Sequence, residues 1–459
     1  MSEHEFDVVV IGMGPGGEYV AGQLAHAGLA VAGVEDRLVG GECPYWGCVP
    51  SKMTIRAANL LEEGRRIPGL AGAATVAPDW APVAKRIRAE ATDSWDDTVA
   101  ADRFTDAGGT LFRGHGVITA PGQVTVGADV LTARRGLVIN CGSAPSIPAL
   151  PGLAGTPYWT NREAAETECV PASMIVLGGG LVGVELGQAF ARFGAAVTMV
   201  ESGRRLLPGE EPESGELIAK VFEREGIGVR TQACAESVAH DGTAFSVTIE
   251  GGQVLRAETL LVATGRHADL ASLGVAALGL DDTAKTIAVD DQMRAAPGVW
   301  AIGDVTGKGA FTHMSMYGAK IVLAQLLGQP HHRAEFHAVP RVTFTDPEIA
   351  SVGLTEEQAR SQLGDIRVGV SQIPSSARGW IHKAGNDGFI KLIADPAREV
   401  LVGATSAGPT GGEVLSMLTL AVHARIPVRR LREMIYAYPT FHGAVSDALT
   451  DLNLEPFTV

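Results

Sequence analysis

Two cysteines, Cys43 and Cys48, stand in a glycine-flanked stretch that reads Gly-Gly-Glu-Cys-Pro-Tyr-Trp-Gly-Cys-Val-Pro-Ser-Lys over residues 40–52. Thiols this close along a chain could form a disulfide that opens and closes during catalysis. Two inert, buried cysteines fit the spacing as well, since free cysteine is often a small core residue. The following Val49-Pro50-Ser51-Lys52 turns the argument towards chemistry. Pro50 suits the first turn of a helix, where its missing N–H costs nothing. Cys48 would then sit near the positive end of that helix, which favours thiolate. Five cysteines in 459 residues make no disulfide scaffold. A close pair in such a chain is a catalytic candidate rather than a structural one.

Thiols used this way need a redox cofactor held beside them, and the chain before Cys43 offers a place for one. Phe6 through Gly17 run an apolar strand into Gly-x-Gly-x-x-Gly, with Gly12, Gly14 and Gly17 at the glycine positions. The pattern returns 166 residues later, after Met174-Ile175-Val176-Leu177, with Gly178, Gly180 and Gly183. Each copy leads into a small-residue helix, predicted over 18–27 and 184–193, and then into a second apolar strand ending in an acid. Glu35 follows Gly12 by 23 residues, and Glu201 follows Gly178 by 23. This is the Rossmann pattern twice. The first glycine permits the tight turn, the second lets backbone approach a pyrophosphate, and the third lets helix and strand pack closely. The helix N-terminus then faces the phosphates, and the carboxylate takes the ribose hydroxyls. One copy alone is a weak signal. Two copies with identical acid spacing are a strong one.

The length suits roughly three domains. The chain is 46% hydrophobic and carries 57 glycines, which favours α/β layers with tight turns. A net charge of −15 argues against nucleic acid or an anionic membrane as the main partner. No apolar run is long enough to span a bilayer. The acidic start, Met1-Ser2-Glu3-His4-Glu5, runs straight into a strand, so no signal peptide is read and a cytoplasmic location is expected.

Pro145, Pro148 and Pro151 mark a crossover between the two copies. The second copy runs on to Ala263-Thr264-Gly265-Arg266, and Val299 to Asp304 reads as a short buried strand ending in Gly-Asp. From about residue 336 the texture changes. Strands are predicted at 340–345, 349–354, 388–394 and 399–405, with helices near 411–424 and 427–435. That pattern reads as an α+β domain with an exposed sheet face.

Taken in order, the first fingerprint, the Cys43–Cys48 motif with Pro50-Ser51-Lys52, the second fingerprint with Glu185, Ala263 to Arg266, Ile302-Gly303-Asp304, and Val339-Pro340 through Thr345-Asp346-Pro347-Glu348 resemble the pyridine nucleotide-disulfide oxidoreductases of the dihydrolipoamide dehydrogenase and glutathione reductase type. The resemblance covers nearly the whole chain. It implies an α/β fold with two Rossmann-like dinucleotide-binding domains and an α+β C-terminal dimerisation domain. The implied divisions are an FAD-binding part over 1–148, an NAD(P)-binding domain over 149–268, a return to the FAD-binding domain over 269–335, and an interface domain over 336–459.

The same resemblance implies FAD on the first fingerprint and a nicotinamide cofactor on the second. Asp304 would hold the ribityl chain, with Gly303 beside it, although taken alone Asp304 reads as a strand-end turn residue. Gly116, Gly142, Gly265 and Arg266 join the cofactor-binding set. Cys48 becomes the sulfur against the flavin and Cys43 the one that meets substrate. Lys52 and Glu185 would pair near the flavin, where a cation stabilises negative charge on the reduced ring. Taken singly, they read as a solvated lysine and a surface glutamate. His313 matches a flavin-proximal position, with a satisfied structural histidine as its other reading. Glu201 suits the free 2′-hydroxyl of NADH. Arg204 and Arg205 could serve NADPH instead. A homodimer is implied, and no resident metal.

The C-terminal motif departs from the family. His-Pro-Thr-x-x-Glu, a proton-handling dyad, is usual there; this chain has Tyr438-Pro439-Thr440, with Gly443 in the glutamate position. A tyrosine hydroxyl with its ordinary pKa of roughly 10 donates a proton but rarely accepts one at neutral pH. Losing an acid–base group commonly costs about 10²–10⁴ in rate. His442 is near in sequence but out of position. Glu42 replaces a usual threonine, and a carboxylate there is expected to raise the Cys43 pKa. Pro44-Tyr45-Trp46 is bulkier than usual and either fills core or narrows access to the disulfide. Asn140-Cys141-Gly142-Ser143 stands where Ala-Thr-Gly is usual. The ending Pro456-Phe457-Thr458-Val459 has no thiol pair, unlike mercuric-ion reductases and the larger thioredoxin reductases.

The resulting expectation is an FAD-dependent NAD(P)H oxidoreductase with a redox-active Cys43–Cys48 disulfide. Hydride from NADH would pass by way of flavin to a small-molecule electron acceptor such as a quinone or metal ion, with Tyr438 of the partner subunit at the site. A reductase for an unusual disulfide and a redox-responsive binding protein with little turnover are the alternatives.

Overall fold

The computed structural model describes residues 2–454; Met1 and the residues from 455, including the Pro456-Phe457-Thr458-Val459 ending, lie outside the described residues. Strand Ser2–Ile11 is the centre of the first sheet. Val8, Val9 and Val10 are fully buried, as a central parallel strand covered on both faces requires. It pairs in parallel with Val31–Glu35 on one side and Asp129–Ile139 on the other. Thr110–Arg113 extends the sheet beyond Val31–Glu35. Much later in the chain, Val299–Ala301 pairs in parallel with Asp129–Ile139. That return carries Gly303 and Asp304 to the carboxyl edge of the sheet, where ligands of doubly wound folds bind.

The second sheet repeats the plan. Its four parallel strands run in the order Gly228–Arg230, Ala196–Val200, Ser173–Leu177, Thr259–Val262. The fingerprint helices are Pro15–His26 and Leu181–Arg192, each beginning three residues before its predicted start. Pro15 is well placed in a first turn, and the third glycine of each fingerprint lies inside the helix. A Cβ on Gly17 would fall 2.0 Å from the Gly12 carbonyl oxygen, and one on Gly183 would fall 2.1 Å from that of Gly178.

The C-terminal sheet is antiparallel, in the order Pro340–Thr343, Glu348–Gly353, Val400–Gly408, Phe389–Asp395, Arg367–Gln372. The predicted exposed face is largely covered, with only edge residues such as Val370 reaching solvent. One face carries Ile390, Leu392 and Leu401 against Leu415 and Leu418 of helix Gly411–His423 and Val445 and Leu449 of helix Gly443–Asp451. On the other, Ile349, Phe389 and Ala407 join the core built by Val184, Leu186 and Phe190 of the half that carries the second fingerprint. Two arginine and lysine nodes fasten the same junction. Lys391 is bonded to Glu211, Glu213 and Glu356, and Arg192 to Glu225 and Asp346. The second predicted helix is shorter than expected, at Val428–Arg432. Strand Arg367–Gln372 and helix Gly443–Asp451 were not predicted, because a glycine interrupts the first and small residues fill the second. Among the described residues no helix is long and apolar enough to cross a membrane.

Candidate active site

The cysteine pair is held by two helical turns. Glu42–Tyr45 carries Cys43, and the long helix Cys48–Arg66 starts at Cys48 itself, with Pro50 in its first turn. Both are free thiols, Cys43 half-buried and Cys48 exposed to the cleft. The Cys48 thiol is pushed down to about 5, mainly by the hydrogen bond from the Cys43 thiol and, against burial, by the Thr312 hydroxyl and the Lys52 charge. Cys43 is driven upward by the same bond and by burial. Thr312 Oγ1 lies 3.4 Å from Cys48 Sγ. The sequence reading missed this residue; its position next to His313, at the start of helix Thr312–Leu326, was the available signal.

Glu42 does not act as expected. Its carboxylate is turned to Arg162, which donates from Nε at 2.7 Å and also from Nη2, and to Asn161 Nδ2 at 3.0 Å. The charge is compensated there, and Cys43 is raised by its partner sulfur and by burial instead. Tyr45 is core. Trp46 walls the cleft, with Nε1 donating to Glu166 at 2.7 Å and the Arg162 guanidinium 5.1 Å above its ring.

One helical turn after Cys48, Lys52 Nζ lies 2.8 Å from Glu185 Oε2. Glu185 Oε1 accepts the Phe344 N–H at 2.8 Å, and the Lys52 ammonium stands 4.8 Å from the Phe344 ring centre. Glu185 is only 2% exposed. Burial raises its pKa, and Lys52 opposes that rise.

A single cleft of about 1540 Å³ joins these groups to both fingerprints. Gly12, Gly14, Glu35, Gly116 and Gly142 line its first arm, and Gly178, Gly180, Glu201, Gly265 and Arg266 its second. Gly303, Asp304 and His313 lie between, with the cysteines, Lys52 and Glu185. Gly17 and Gly183 sit behind the phosphate loops as packing positions. The two acids are held identically. Glu35 accepts the N–H groups of Met13 and Arg37, at 2.8 and 2.9 Å. Glu201 accepts those of Gly179 and Gly203, both at 2.6 Å. Burial outweighs these bonds for Glu35 and lifts its pKa to about 7.

The first arm fits FAD. Gly12 has φ +89°, and a Cβ there would strike the Asn140 carbonyl oxygen at 2.4 Å. Gly14, with no side-chain cap bond, starts a helix whose first N–H groups are left for a phosphate. Asn140 braces this loop, donating to the Gly12 carbonyl at 3.1 Å and accepting from Ser315 at 3.0 Å. That explains one departure at 140–143. The second arm, with Glu201 following strand Ala196–Val200, fits a nicotinamide nucleotide. Arg205 is engaged by the carbonyls of Pro208 and Glu210, at 3.2 and 3.3 Å.

His313 donates from Nε2 to the Pro340 carbonyl at 3.0 Å and stacks on Phe311, so it has a structural partner while lining the cleft. Tyr438 is the outlier. It is 84% exposed, beside Ile435 at 95%, and is not among the cleft-lining residues. His442 precedes helix Gly443–Asp451 and is likewise outside the cleft.

The family described as pyridine nucleotide-disulphide oxidoreductase matches residues 6–319, and its dimerisation domain matches residues 339–449. A dihydrolipoyl dehydrogenase of Chlorobaculum tepidum is 34% identical over 97% of both chains. A mercuric reductase of Shewanella putrefaciens is 32% identical over 94% of this chain and 78% of its own. Among solved structures, the Cu(II) complex of the HOCl-induced flavoprotein disulfide reductase RclA from Escherichia coli has 26% sequence identity and a TM-score of 0.85, covering 97% of this chain and 99% of that one.

Proposed function

This chain belongs to the pyridine nucleotide-disulphide oxidoreductase family, enzymes that use FAD and NAD(P)H, and from that premise we propose that it oxidises NADH and reduces a small acceptor, a quinone or a metal ion, rather than lipoamide or glutathione disulfide. FAD, when bound along the first arm, supplies a carrier that takes hydride from reduced nicotinamide. Gly12, Gly14, Glu35 and Asp304 would hold it. Glu201 would hold the adenine-side ribose of NADH. The dimerisation-domain match supports a homodimer. We place the enzyme in the cytoplasm, where NADH is available.

One observation carries this reading. The electron-handling groups line the cleft, but the chain lacks the His–Glu pair at the dyad positions. Tyr438 and Gly443 occupy the dyad positions, and a tyrosine hydroxyl, with a pKa of roughly 10, is a much weaker proton donor than a histidinium at roughly 6.5. Disulfide reduction must protonate a leaving thiolate and so depends on such a group. Quinones and metal ions do not need it. Relatives named mercuric reductase and a copper(II) complex of a similar reductase support a metal ion as an acceptor class.

The disulfide reading is favoured by the low pKa of Cys48 beside Cys43, since exchange needs a thiolate and a second sulfur. Cys43→Ser and Cys48→Ser separate the two. Quinone reduction is expected to survive in both variants, with flavin content unchanged. Loss of quinone reduction in both would make the thiols obligatory. Lipoamide turnover by the wild type at the rate of typical dehydrogenases would overturn the proposal.

A further inference from the structure

Two of the departures noted in the sequence meet at one side chain. Arg266 Nε donates to Ser143 Oγ at 2.8 Å, and its Nη2 donates to the Ser143 carbonyl at 2.6 Å. The same guanidinium lies 3.8 Å from Glu42 Oε2. Ser143 in turn donates its hydroxyl to Asp304 Oδ2 at 2.6 Å. Glu42 Oε1 accepts from Arg162, and Oε2 accepts from Asn161 Nδ2, whose Oδ1 accepts from Arg266 Nη1 at 3.4 Å. The connection runs Asp304, Ser143, Arg266, Glu42, Arg162, so two carboxylates are balanced by two guanidiniums.

This connection joins parts that are distant in sequence. Glu42 opens the turn that carries Cys43. Ser143 follows strand Asp129–Ile139 of the first sheet. Arg266 ends the strand-and-turn of the second fingerprint copy, and Asp304 follows the return strand. Ser143 fixes one Asp304 oxygen. Among the described residues the other, Oδ1, has no protein hydrogen-bond partner and is left for a ligand hydroxyl.

We propose that Glu42, Ser143 and Arg266 act as one positioning unit that sets Asp304 in register with the Cys43 turn. The unit rests on the placement of FAD at Asp304 in the proposed function. A planar guanidinium is required because it engages the Ser143 hydroxyl and carbonyl together, a geometry that lysine cannot reproduce.

The test measures the FAD dissociation constant of the full chain by the fluorescence of released flavin, with circular dichroism as a check on folding. Ser143→Ala should weaken FAD binding by about tenfold, the ordinary worth of a hydrogen bond to a charged group. Arg266→Lys should do the same. Glu42→Gln should weaken it severalfold. Glu42→Gln with Ser143→Ala should exceed the worse single change by no more than about twofold, because residues of one network are not additive. With Asp304→Asn already present, Ser143→Ala should have little further effect. Multiplying effects, or FAD binding unchanged in folded Ser143→Ala, would overturn the unit while leaving the proposed function standing. A folded wild type that takes up no FAD would overturn both.

Discussion

Lys52 and Glu185 meet at 2.8 Å across the boundary between the two nucleotide-binding halves, one turn below Cys48. The lysine comes from the helix that starts at Cys48, and the glutamate from the helix of the second fingerprint. A buried carboxylate thus holds an ammonium near a thiolate, and the lysine charge helps to lower both the Cys48 thiol and the Glu185 carboxyl.

The first expected outcome concerns the titration of Cys48. Its lowered pKa means that the thiolate persists above about pH 5 and is lost as pH falls through that value. Alkylation of the reduced enzyme should therefore be half-maximal near there. Cys43→Ala removes the largest cause and should move the midpoint up most. Lys52→Met should move it up by less. Glu185→Gln frees the lysine charge and should move it down. Iodoacetamide kinetics against pH check all three signs, and an upward shift in Glu185→Gln would show that the pair does not tune the thiol.

NADH should be preferred to NADPH in kcat/KM. Glu201 is fixed by two backbone N–H groups in the second arm, where it would meet the ribose, and Arg205 Nη2 is engaged by carbonyls. Glu201→Ala should narrow the preference by removing the repulsion of a 2′-phosphate. A native preference for NADPH would assign the phosphate to Arg204.

Lys391 is 3% exposed among three carboxylates, and Glu211 is 2% exposed beside it. Lys391→Met leaves a buried carboxylate unpaired, a change that commonly costs about 3–5 kcal/mol. Calorimetry should show a clearly lower melting temperature. An unchanged melting temperature would mean that this node does not hold the C-terminal sheet to the second nucleotide-binding half.

Ile435 and Tyr438 lie on the surface of the dimerisation domain, with Trp380 exposed on the same domain. Ile435→Asp should disfavour the dimer by burying a charge at an apolar contact. Light scattering is expected to find the monomer at concentrations where the wild type is dimeric. A dimer of unchanged stability would place the interface elsewhere.

Much of this protein was legible as sequence because the relevant physics is local. A strand, a Gly-x-Gly-x-x-Gly turn and a helix are built from residues adjacent in the chain, so the two fingerprints and their acids could be read directly. The same is true of Cys48, whose place at the start of a helix follows from Pro50 two residues on. Tertiary structure decided what depends on residues far apart in the chain. Glu42 is adjacent to Cys43, yet Arg162, 120 residues away, takes its charge. Thr312 reaches Cys48 from 264 residues away. The C-terminal sheet alternates as if one face met water, but that face is covered by the second nucleotide-binding half. Alternation along a strand records which side chains share a face, and only the packed molecule shows what lies against it.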